Sequence, residues 1–234
     1  MRSIAFACAA LLTTTACVPE MTADIFVSDI LDAGTSSDLT TPVTISFLAL
    51  QPELCQEKSG NVFTPKDSDM EFTFAGCQEH DFGEYAIVKT QVPIVLWNDE
   101  SGALKNPISV AVIPNPETTK ILLHFNNDQL DEIWASLPEE LTFDQPLPTE
   151  FRATAKLHND LLQPAHFLVV SAFVDGQPHP LGHEFTIEYL EHAAITLSDV
   201  NIAALRGEAG VAFVAGIERD RIEKLPHHFA PVSE

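Results

Sequence analysis

From Ala23 to Ile217 the apolar residues of this chain recur at every second position in short runs, and Pro, Gly, Asn or Asp interrupts each run. A side chain repeats its direction every two residues only in an extended strand, so the pattern commits the chain to β-sheet with one face of each strand buried. The alternation predicts strands at 23–27, 43–50, 70–74, 85–97, 108–113 and 120–125, then at 151–158, 166–174, 184–189, 193–197 and 211–217. Pro93 falls inside the long fourth run. Proline cannot donate to a ladder, which predicts an edge position or a bulge there.

Three of these runs end at a residue suited to cap a helix, Ser28, Asn126 and Ser198, with an acid close behind it in Asp29, Asp128 and Asp199. Serine and asparagine side chains accept from the first free N–H groups, and an acid in the first turn complements the helix dipole. The fold class that follows is α+β, mainly antiparallel β-sheet with a few short helices. Residues 85–137 and 165–207 also share an order of strand, turn, strand, tight turn, strand and capped helix. This leaves open a division into two similar β-rich domains in tandem, 23–138 and 150–220, joined by a Pro-rich acidic linker at 139–149 and followed by a flexible tail at 221–234.

The chain has 234 residues and a formal net charge of −22, from 34 acidic against 12 basic side chains. Such a surface repels phosphate backbones, so no nucleic-acid partner is expected, and no attachment to anionic lipid through a basic patch. Residues 1–16 form a separate unit with one charge, Arg2, and an apolar run of about nine residues from Ile4 to Leu12. That is well short of the roughly twenty needed to span a bilayer, so it is expected to be a signal peptide.

The end of that unit, Leu12-Thr13-Thr14-Thr15-Ala16-Cys17, resembles the lipobox of bacterial lipoproteins, in which small residues precede a cysteine that takes a diacylglycerol thioether before cleavage just ahead of it. Thr14 stands where that family usually carries Leu. The resemblance implies lipidation at Cys17, palmitate-type acyl chains as the only covalent group, a tether at 17–22, and a body held on the cell envelope. Val18 is not the aspartate that marks inner-membrane retention in enteric bacteria, which implies the outer membrane. The resemblance covers these residues alone.

With Cys8 in the signal peptide and Cys17 given to lipid, Cys55 and Cys77 remain. An exported compartment is oxidising, so the expectation is a disulfide closing a loop of about 22 residues and adding roughly 3 kcal/mol in the chain-entropy model. A metal site built on the two thiols is the alternative. Among the nine histidines the densest group is His179, His183 and His192, a candidate zinc or copper set. His183-Glu184 looks like the start of a zinc-protease helix, but Ile187 stands where the second histidine belongs. The pair His227-His228 lies in the tail. No G-x-S-x-G elbow and no glycine-rich phosphate loop occurs. The functional expectation is a noncatalytic membrane-anchored envelope lipoprotein that binds or scaffolds an envelope protein partner, with a periplasmic metal-binding lipoprotein as the alternative.

Overall fold

The computed structural model describes residues 18–36, 38–49, 59–64, 70–80, 83–97, 106–136 and 151–218. Its strands are β1 (Glu20–Phe26), β2 (Thr40–Leu48), β3 (Val62–Phe63), β4 (Phe72–His80), β5 (Gly83–Leu96), β6 (Ile108–Ile113), β7 (Thr118–Phe125), β8 (Arg152–His158), β9 (Ala165–Val169), β10 (Ala172–Val174), β11 (Gln177–His179), β12 (His183–Ile187), β13 (His192–Leu197) and β14 (Val211–Glu218). Three short helices accompany them: α1 (Val27–Asp32), α2 (Asn127–Ser136) and α3 (Asp199–Arg206). The molecule is mostly antiparallel sheet, the expected α+β class.

The strands follow one path, β11-β10-β13-β8-β1-β2-β5-β6-β7-β14-β9-β12, with β4 on the other side of β5 and β3 beyond β4. This path bends into two facing sheets. The first part of β5 pairs with β2 and β4, whereas Ile94–Leu96 pair with β6 in the second sheet. Pro93 stands at the changeover, where its missing N–H interrupts no ladder. The chain changes sheets again between β9 and β10, which are separated by only Val170 and Ser171. Ser171 takes φ 53°, the left-handed conformation that turns the corner. It is held there by the start of α3, where Asn201 Nδ2 donates to the Ser171 carbonyl at 3.1 Å and the Ser198 and Ser171 hydroxyls meet at 3.0 Å.

Alternation explains the inner faces. β1 buries Met21, Ala23 and Ile25, and β8 buries Ala153, Ala155 and Leu157, while the intervening residues face outward. All belong to one continuous core with Phe72, Phe74, Ile121, Leu123, Phe167 and Val169. The segments 23–138 and 150–220, expected as tandem domains, are interleaved within it. β1 runs parallel to β8 over seven residue pairs, and β14 pairs with β7. The element order shared by 85–137 and 165–207 does not extend to pairing either: β6 joins β5 in parallel, whereas β12 joins β9 antiparallel.

Two of the three expected caps are in place. Asn126 accepts from the Gln129 N–H at 3.3 Å at the start of α2, and Ser198 accepts from Asn201 N–H at 3.4 Å at the start of α3. Ser28 does not cap α1. The helix begins one residue before it, and the carboxylate of Asp160, from the loop after β8, accepts both the Ser28 N–H at 3.0 Å and the Ser28 hydroxyl. No helix among the described residues is long and apolar enough to cross a membrane.

Candidate functional site

The path of strands has two ends, β11 and β12, and both lie on one hairpin arm, 177–187, which folds back along β10 and β9. A turn at Asp175-Gly176, both with positive φ, starts this arm. That is the geometry a two-residue hairpin needs to match the strand twist. Among the described residues no strand pairs with the outer side of this arm. Its two halves differ in protection: β11 has Pro178 in it and Pro180 just after it, whereas β12 (His-Glu-Phe-Thr-Ile) has neither proline nor lysine. Proline and lysine are the usual means of closing an edge against pairing.

Exposed apolar side chains bracket the open half. Leu181, 79% exposed, precedes β12, and Tyr189 and Leu190 follow it, Leu190 being 72% exposed. Leu190 is held at φ 62°, an unfavourable conformation for a side chain of its size. The residue that holds it is Asn159, itself 1% exposed. The Asn159 carbonyl accepts from Leu190 N–H at 2.9 Å, and the Asn159 N–H donates to Glu191 at 2.9 Å. Its side-chain Nδ2 donates to the carbonyls of Ile187 and Gln163 at 2.8 Å each, and Oδ1 accepts from Leu161 N–H at 3.1 Å. One buried amide therefore ties the loop after β8, with its exposed Leu162, to the end of β12.

The structure brings together two of the three candidate metal ligands. His179 and His183 stack face to face across the passage 180–182 between β11 and β12, with ring centroids 3.7 Å apart and planes 9° from parallel. Parallel rings direct their in-plane lone pairs side by side, whereas one zinc ion needs nitrogens converging at about 2 Å. His192 lies elsewhere. His179 and Leu197 both stand opposite Ala172, and His192 is five residues back along β13, roughly 16 Å away at strand rise. There it neighbours His158 at 5.5 Å, in a cross-strand row with Phe26, which stacks on His158 at 5.0 Å. His158 Nε2 also meets Asp24 Oδ1 at 2.8 Å. Among the described residues no group of three or more His, Cys, Asp or Glu is placed to hold a metal ion.

Cys77 is disulfide-bonded. Its expected partner Cys55 lies outside the described residues, as do Cys17 and the tail histidines His227 and His228. One buried histidine escaped notice in the sequence because its strand is buried on both faces. His124 on β7 is 3% exposed, meets the buried Ser109 hydroxyl at 3.3 Å through Nδ1, and lies 6.0 Å from the Trp97 ring. Burial lowers its pKa from the ordinary 6.5.

A family model described as a domain of unknown function, DUF7424, matches residues 19–220. The chain belongs to the DUF7424 family. The match starts two residues after Cys17, runs through the segment 139–149 and ends two residues past β14, so the DUF7424 region takes in every described residue but Val18. No curated protein and no solved structure matches this DUF7424 chain.

Proposed function

We propose that this chain is a noncatalytic envelope lipoprotein, held on the outer membrane by an acylated Cys17, whose β body binds another envelope protein by accepting a strand from it at the β12 edge. The observation that carries the reading is the five-residue β12 edge, unpaired among the described residues on its outer side, free of proline and lysine, and bracketed by exposed Leu181, Tyr189 and Leu190. In strand addition the main-chain ladder supplies affinity, and pockets for alternate side chains supply register. Glu184 and Glu188 are exposed along this edge, so the partner strand that fits carries lysine or arginine opposite them. Lipid on Cys17 keeps the body at the membrane, since two or more acyl chains hold firmly where one is marginal.

Two measurements test it. Cys17→Ser moves the protein out of the membrane fraction; a variant that stays membrane-bound contradicts the anchor. Successive N–H groups along β12 point to opposite edges, so one of Glu184→Pro and Phe185→Pro removes a ladder donor to β9 and the other removes an outward donor. The variant that leaves the melting midpoint nearly unchanged is the outward one, and it loses the partner in a crosslinked pull-down from membranes. Capture at the wild-type level contradicts the edge.

A further inference from the structure

An apolar cavity of about 70 Å³ lies between the two sheets and α2, walled by Met21, Ile45, Phe47, Val88, Ile133 and Trp134. A water position needs about 10–15 Å³ of such space, so the cavity has room for about five waters, yet a water is held only by two to four polar partners. The wall offers almost none. Even Arg206, which contributes to the wall, directs its guanidinium away, to Asn127 Oδ1 at 2.7 Å and Asp131 at 3.6 Å. The space suits hydrocarbon, about five or six methylenes by volume. Pro19 and Glu20 line it too, and three residues of extended chain place Cys17 within about 10 Å of Glu20.

We propose that this cavity seats the end of one acyl chain carried by Cys17. The inference rests on the lipoprotein reading and adds to it a fixed seat: one chain is taken by the body while the others stay in the bilayer, so the body is docked against the membrane rather than swinging on its tether. A tail on a three-residue lead is present at high effective concentration, which favours it over a free lipid.

Trp134 reports on the cavity. In the full chain carrying Trp97→Phe it is the only tryptophan, because the sequence has two. With Cys17→Ser added, the cavity is empty of lipid, and terminally brominated fatty acids quench Trp134 saturably below their micelle concentration. Affinity rises by about fourfold per methylene and levels off near six carbons. Ile45→Phe, which adds about one methylene of volume to the wall, weakens the quenching by about fourfold. In the lipidated chain, reconstituted in vesicles, the same probe leaves Trp134 unquenched. No saturable quenching in the Cys17→Ser chain overturns the cavity as an alkyl site, and the chain-length series decides this even if Ile45→Phe fails to fold. Equal quenching in the lipidated chain overturns the Cys17 lipid as the occupant and assigns the seat to free lipid. The mass of the Cys17 peptide is read separately, so an unmodified cysteine is recognised as failure of the lipoprotein reading itself.

Discussion

Asn159 is the residue on which the candidate edge most depends, because its side chain answers three backbone groups that have been taken from water. Asn159→Ala leaves two carbonyls and one N–H unmet, which predicts a loss of about 2–4 kcal/mol in chemical denaturation. A loss under about 0.5 kcal/mol would mean that the loops find other partners. His124 makes a pH prediction. Its folded pKa is lowered from 6.5 by burial, so the folded state keeps the imidazole neutral while the unfolded state protonates it below that value. Its contribution to stability is fully present above pH 6.5 and is lost as pH falls toward the depressed folded pKa, with a slope of at most about 1.4 kcal/mol per pH unit. His124→Gln flattens the dependence of stability on pH between 7 and 5 relative to the wild type, and an unchanged slope contradicts the assignment. Nothing local marks Asn159, whose partners include the end of β12, 28 residues on, and alternation does not single out His124 on a strand buried on both faces.

At the scale of elements, period two located the strands and their inward faces. It failed where a strand is buried on both faces or changes sheets. β6 and β7 are buried at nearly every position, so alternation there carries no directional information. The run 166–174 reads as one strand, yet the chain breaks it at Val170-Ser171 to pass from one sheet to the other, and β11 falls outside every expected strand. The edge at β12 depends on strand order, which one sequence without pairing information does not specify. Ser28 was misread as a cap because Asp160, which takes that role, is 132 residues away. A tight backbone approach joins the end of β7 to the start of β14. Gly210 has φ 58°, and a Cβ there would stand 2.3 Å from the Phe125 carbonyl oxygen. Gly210→Ala therefore costs on the order of 2 kcal/mol or more, from strain and from displacing Phe125, measurable as a lowered denaturation midpoint. A midpoint equal to wild type would contradict the close approach.

At the scale of the whole molecule, the two halves of the chain share one core and one path of strands, so the arm that carries the open edge is braced by both. β9 leans on β14, which leans on β7, while β10 leans on β13 and through β8 on the first strand. The same first strand begins at Glu20, three residues after Cys17, so an acyl group carried by that cysteine would join the body at a central strand of one sheet, while the β12 arm stands at the ends of the path. The claim that this arm receives a partner at the membrane is tested most directly by site-specific photocrosslinking in cells. A photoreactive amino acid replaces Glu184 at the β12 edge in one strain and the exposed Lys120 on β7 in another. The account predicts one defined envelope-protein adduct from position 184, recovered in the membrane fraction with lipidated Cys17, and none from position 120. The absence of any adduct at 184, or the same set of adducts from both positions, would contradict it.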